Sequence, residues 1–154
     1  TFEPQKTEVL GADAAHKMLY MLQNVINGGT GGRLRYSFGL QMPLGGKTGT
    51  TQNNSDAWFM GFTPDLVAGC WVGGEERSVR FNTMTFGQGA AAALPIFGKF
   101  IWKVYKDHSL GYLVNIPFQL PEGFSPCGDA GYSDEAVEVY EGSSPDSTSS
   151  ASPF

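Results

Sequence analysis

At 154 residues the chain is long enough for one domain with a real core, and an apolar fraction of 41% with 21 glycines excludes a wholly disordered protein. Its net charge of −5 averages two unlike parts: up to Lys106 ten bases face seven acids, a net of +3, whereas from Asp129 onward there are six acids and no base. A body of +3 without a basic run does not support nucleic-acid binding, and no stretch approaches the roughly eighteen apolar residues of a membrane span.

The opening Thr-Phe-Glu-Pro-Gln-Lys has neither an initiator Met nor the charged-then-apolar layout of a signal peptide, and reads as an interior cut. Residues 1–12 read as extended or loop, with Pro4 and Gly11 as breakers. Asp13 is the expected N-cap of a helix running to about Asn27 and stopped by Gly28-Gly29. Its apolar stripe is Ala14, Met18, Leu22 and Val25, with Ala15, Leu19 and Ile26 beside it, which predicts one buried face. His16 in the first turn reads as a solvated or capping residue rather than a catalytic one. Gly28-Gly-Thr-Gly-Gly32 is not a phosphate-binding loop, because no Lys-Ser/Thr closes it and it follows a helix rather than a strand. It reads as a flexible connection. Arg33 and Arg35 alternate with Leu34 and Tyr36, which predicts a short strand or extended loop with exposed cations.

A strand is expected over Lys47 to Thr51, then a polar turn Gln52-Asn-Asn-Ser-Asp56, an alternating strand Ala57 to Phe62, a Thr63-Pro-Asp65 turn and a well-covered strand Leu66 to Gly73. Three strands joined by short turns predict an antiparallel meander. Residues 74–89 lack a clear period and read as a loop with room for short strands. A second helix is expected over 90–107, with Pro95 in its first turn and Ile96, Phe97, Phe100, Ile101 and Val104 on its buried side. Residues 1–110 then form the body, 111–141 an extended segment leaving it, and 142–154 a disordered acidic tail of Ser, Pro, Asp and Thr. Cys70 in its apolar strand reads as a small packed hydrophobe, and a Cys70–Cys127 disulfide stays open for an oxidising compartment. The two cysteines have no metal-ligand spacing with each other or with His16 and His108, and no cofactor is expected.

The motif with chemical content is Lys47-Thr-Gly-Thr50. Acyl transfer needs an activated nucleophile, a proton carrier, donors for an oxyanion and a grip on the substrate. A strand at a cleft edge can pair its backbone with an extended peptide, and Gly49 lets that peptide approach. Alternation points Thr48 and Thr50 the same way, so that both hydroxyls reach one carboxylate, but puts Lys47 on the opposite face. Only a twisted edge strand approached side-on reconciles the two.

A Lys-Thr-Gly triplet is one of three signatures of penicillin-binding proteins and serine β-lactamases. The longer run KTGTTQNNSDAWFMGFTPD, residues 47–65, closely resembles the transpeptidase domain of class A penicillin-binding proteins. The resemblance implies an antiparallel sheet flanked by helices, α/β in content, and places this chain in the C-terminal portion of that domain. It implies that Lys47 lends positive charge to the site, that Thr50 donates its N–H to the oxyanion, and that Thr48, Gly49, Thr50 and Thr51 bind substrate. The implied partners are peptidoglycan stem peptides ending in D-Ala-D-Ala, β-lactam antibiotics and the upstream half of the same domain. The implied location is the extracytoplasmic side of a bacterial inner membrane. The parent would be anchored by an N-terminal transmembrane helix and would carry a glycosyltransferase as well. The sequence departs from the family in one respect: no Ser is followed three residues later by Lys, and there is no Ser-x-Asn. The chain alone is therefore expected to be inactive, and to leave apolar surface for a partner or a second copy. Two other functions compete, a serine β-lactamase or β-lactam sensor and a non-catalytic binding or assembly module.

Overall fold

The computed structural model describes residue 7 and residues 9–126. Cys127 and the acidic tail lie outside the described residues, and with them the proposed disulfide. Helix α1 spans Ala12–Asn27. Its N-cap is Gly11, which supplies no side-chain hydrogen bond. Asp13 lies inside the first turn, where its carboxylate faces the positive end of the helix and pairs with Lys17 Nζ at 2.8 Å. Of the expected buried face, Ile26 is fully buried, Ala15, Leu19, Leu22 and Val25 are partly buried, and Met18 is about half exposed. His16 is partly buried and makes no capping bond. Its Nδ1 is buried without a hydrogen-bond partner, and its ring lies 6.1 Å from that of Phe124.

After the glycine turn the chain forms a single helical turn, α2, Arg33–Tyr36, rather than the expected extended segment. The cations are occupied, which explains the difference. Arg35 Nη1 donates to the carbonyls of Leu40 at 2.6 Å and Met42 at 2.7 Å, and its Nη2 to Asn27 Oδ1 at 2.9 Å. Arg33 Nη1 reaches Ala90 O at 3.1 Å. Arg35 thus fastens the end of α1 to the segment that leads into the sheet.

The sheet is the expected antiparallel meander: β1 Gly45–Thr50, β2 Asp56–Phe62 and β3 Val67–Gly73, in the order β1-β2-β3. Its register pairs Lys47 with Met60, Gly49 with Trp58, and Trp58 with Trp71. Paired residues share a face, so one face carries Thr48, Thr50, Ala57 and Phe59 and the other Lys47, Gly49, Trp58, Met60 and Trp71. The first face is the core side. Phe59 is fully buried, with its ring centroid 4.9 Å from that of Phe97. The second face is open: Trp58, Met60 and Trp71 are each nearly half exposed and Val67 is 71% exposed. β3 is therefore covered on one side only, not well covered as its apolar composition suggested.

Residues 74–89 contain a one-turn helix, α3, Met84–Gly87, and no strand. Helix α4 spans Leu94–Lys106 with Pro95 in its first turn, where a missing N–H costs nothing. Its buried stripe is Leu94, Phe97, Ile101 and Tyr105. Ile96 and Phe100 lie off it, 49% and 43% exposed. The core joins Ile26, Leu34, Leu40 and Leu44 to Phe59, Phe97 and Ile101. Residues 116–126 do not leave the body: Phe118 packs edge-on against Phe62 at 5.6 Å, and Phe124 lies over His16 and Tyr20 of α1.

Candidate active site

Strand β1 is an edge strand among the described residues. The orientation of its amides follows from one bond beyond its end: Thr51 N–H donates to Asp56 O at 3.0 Å, which makes Thr51 and Asp56 a hydrogen-bonded pair. Antiparallel pairs alternate, so Gly49 and Lys47 also bond to β2. Thr48 and Thr50 then turn their N–H and C=O groups outward, to the free edge.

Lys47 stands on the open face, as alternation requires, yet its charge reaches the edge. Its Nζ donates to Thr48 O at 2.8 Å, curling around the strand. The two hydroxyls on the other face are each held by a glycine-rich segment. Thr48 Oγ1 lies 3.2 Å from Thr30 Oγ1, and Thr50 Oγ1 accepts the Gly89 N–H at 3.0 Å. Gly89 approaches so closely that a Cβ there would lie 2.6 Å from Gly49 O, so only glycine fits. At Gly49 an added Cβ would meet Trp58 Cβ at 3.1 Å, which makes cross-strand crowding a second reason for glycine beside access for a peptide.

Thr51 belongs to a different unit. Its hydroxyl lies 2.9 Å from Ser55 Oγ, accepts the Asp56 N–H at 2.9 Å and donates to Asp56 Oδ2 at 3.1 Å, closing the β1–β2 turn. Trp71 Nε1 donates to the other oxygen, Asp56 Oδ1, at 2.9 Å. These donors favour the ionised carboxylate. The Trp71 bond contributes most, followed by Ser55, and together they hold Asp56 below the ordinary carboxylate range. Inside the turn, Asn53 and Asn54 adopt φ of 60° and 56°, a region asparagine tolerates better than most residues.

A cavity of about 430 Å³ opens beside Thr50, lined by Thr51, Gln52, Asn53, Ser55 and Arg77. A larger one, about 550 Å³, lies between the segment leading into β1 and the end of α4, and shares no lining residue with it. Lys47, Thr48, Gly49 and Thr50 lie together along one edge of the sheet, and Thr51, whose hydroxyl is taken up by the turn, lines the cavity beside Thr50. Thr30 and Gly89 touch β1 and Arg77 lines the cavity beside it, and the sequence marks none of the three. Gly28-Gly-Thr-Gly-Gly32 and Gly87-Gln-Gly89 look like spacers in one dimension, and nothing in their spacing tells that each folds back onto β1. No group of three or more metal-ligating side chains occurs among the described residues, nor a helix long and apolar enough to cross a membrane.

No model of a known protein family matches the chain. Penicillin-binding protein 1A of Pseudomonas aeruginosa is 36% identical over 122 residues, which is 76% of this chain and 14% of that protein. Penicillin-binding protein 1B of Escherichia coli is 36% identical over 98 residues, 64% of this chain and 11% of that protein. The crystal structure of penicillin-binding protein 1A from Haemophilus influenzae matches with a TM-score of 0.60 at 27% identity, covering 73% of this chain and 17% of that one. The chain thus spans less than a fifth of the length of these relatives. Its antiparallel sheet and flanking helices are part of the fold of penicillin-binding proteins and serine β-lactamases, and the chain belongs to the class A penicillin-binding proteins.

Proposed function

We propose that this chain provides the substrate-binding edge strand of a peptidoglycan D,D-transpeptidase, a serine acyltransferase of the bacterial cell envelope whose site β-lactams acylate. The observation that carries the reading is the free edge of β1, where the outward Thr50 N–H, two hydroxyls and the Lys47 ammonium converge.

A stem peptide ending in D-Ala-D-Ala adds to β1 as an extra strand, pairing with the outward groups of Thr48 and Thr50. Its terminal carboxylate accepts from the Thr48 and Thr50 hydroxyls, about 6.8 Å apart by strand spacing, a gap that its two oxygens bridge. As a serine from the preceding part of the domain attacks the penultimate carbonyl, negative charge builds on that oxygen and the Thr50 N–H donates to it. Lys47 holds positive charge at the same edge and favours both the anionic substrate and the developing oxyanion. The terminal D-Ala departs, and an amine from a second stem peptide takes the acyl group. A β-lactam carries a carboxylate and a reactive amide in a similar relation, and stops at the acyl-serine. The nucleophile comes from outside this sequence, so the piece alone is inactive.

The test is covalent labelling of the complete domain by a fluorescent penicillin. A complete, folded domain labels, and its Lys47→Ala variant loses most of that labelling while keeping its circular dichroism. A folded complete domain that never labels refutes the function, and undiminished labelling of the variant refutes the role given to Lys47. Rapid turnover of the β-lactam would favour a hydrolase.

A further inference from the structure

Helix α4 buries one side against the sheet, and its other side is not an ordinary solvated face. Ile96, Lys99, Phe100, Trp102, Lys103 and Lys106 are all exposed. At 3.6 residues per turn they fall within one arc of about 160°. The helix contains no acid, and none of its three lysines makes an ion pair among the described residues. The Lys106 ammonium lies instead 4.5 Å from the centre of the Trp102 ring. Asp107, next along the chain, is turned back on Ser109, which donates to it from N at 3.0 Å and from Oγ at 2.6 Å. Toward the end of the helix the face runs into the cavity of about 550 Å³, where Trp102 and Lys106 stand opposite Met42 and Pro43. Cations and large apolar side chains are thus interleaved on one surface, which suits a ligand both acidic and apolar.

The chain itself carries such a segment. Asp134-Glu-Ala-Val-Glu-Val-Tyr-Glu141 has four acids and no base, with Ala136, Val137, Val139 and Tyr140 between them. It begins eight residues beyond Pro126, and the described chain reaches that point with Phe124 lying over α1. Eight residues span up to about 27 Å, and the run to Glu141 about 50 Å. A body of this size has a radius of gyration of about 14 Å, so the segment reaches α4. A tether of that length also holds it at an effective concentration in the millimolar range, so a contact that is weak between separate molecules suffices.

We propose that the outer face of α4 is the docking surface for the chain's own acidic segment 134–141, with its carboxylates on Lys99, Lys103 and Lys106 and Tyr140 in the cavity beside Trp102. The contact covers exposed aromatic surface and answers three lysines with four acids. Its electrostatic part is screened by salt, and its apolar part rests on the ring of Tyr140. It is independent of the transpeptidase reading, since it uses neither the β1 edge nor a nucleophile.

The experiment is lysine footprinting of the complete penicillin-binding protein carrying this chain, by limited acetylation read residue by residue with mass spectrometry. Wild type is compared with a neutralised variant, Asp134→Asn, Glu135→Gln, Glu138→Gln and Glu141→Gln together, and with Tyr140→Ala. In the neutralised variant Lys99, Lys103 and Lys106 acetylate about threefold to tenfold faster, the release of a tethered segment that was mostly docked. Lys17, which is paired with Asp13, keeps its rate. Salt at about 1 M, where the screening length falls to about 3 Å, brings wild type close to the variant. Tyr140→Ala gives an intermediate rise, and a wild-type rate there removes the role given to the cavity. Unchanged lysine rates in the neutralised variant overturn the proposal, as they are what a face covered by another part of the protein gives. An equal rise at Lys17 marks a general effect of charge and overturns it too. Protection that grows with protein concentration assigns the face to the segment of a second copy, against docking within one chain.

Discussion

Asp56 shows how a single side chain can be fixed without an ion pair. Trp71, Thr51 and Ser55 all donate to its ionised form, which depresses its pKa in the folded state. A group with a depressed folded pKa contributes stability above its unfolded pKa and loses that contribution as pH falls through the folded value. Asp56→Asn should therefore melt below wild type at neutral pH, with the difference closing as pH drops below about 4. Melting temperatures across that range check it, and a difference independent of pH would mean that the turn is held by shape alone. At this scale the sequence was informative about residue types and silent about partners. Lys47, Thr48, Gly49 and Thr50 stand out as a motif, and the face conflict between Lys47 and the threonines follows from strand period alone. What resolves the conflict, the bond from Lys47 Nζ to Thr48 O, depends on a long flexible side chain bending around an edge. Thr51 looked equivalent to its neighbours, and only the turn geometry separates it from them.

The elements were largely legible where period and breakers agree. The meander, α1 and α4 all lie where alternation, helical stripes and Gly or Pro breakers put them. The Arg33–Tyr36 segment misled because alternation of cations with apolar residues over four positions fits a strand and a single helical turn equally well. The α4 stripe differs in part from the expected one: Ile96 and Phe100 are apolar but off the axis that Phe97 and Ile101 define. Phe97 is the side chain that couples α4 to the sheet, through Phe59. Its replacement by Ala should cost about 3–5 kcal/mol, the usual range for a large aromatic removed from a packed core. Denaturant titration measures this, and a loss below about 1 kcal/mol would show that the α4–sheet contact closes over the vacancy. Because Gly89 lies five residues before α4 begins, loosening α4 should also disturb the amide that holds Thr50.

At the scale of the molecule, one sheet face is packed and the other, with Trp58, Met60, Val67 and Trp71, is open among the described residues. The candidate site lies at the seam between these faces, on the free edge of β1, where elements distant in sequence meet: the turn after α1 through Thr30 and the segment before α4 through Gly89, with Arg77 of the loop after β3 lining the cavity beside it. Such long-range convergence is what one-dimensional spacing cannot show. The central claim is that the outward amide of Thr50 serves the reaction, and an edge strand permits a direct test. Proline at position 50 deletes that N–H without removing a ladder bond, which edge strands tolerate. Thr50→Val deletes the hydroxyl and keeps the amide. In the complete protein, with both variants shown to be folded, Thr50→Pro should acylate with benzylpenicillin roughly a hundred- to a thousandfold more slowly than Thr50→Val. Equal rates for the two variants would contradict the assignment of β1 as the strand that stabilises the oxyanion.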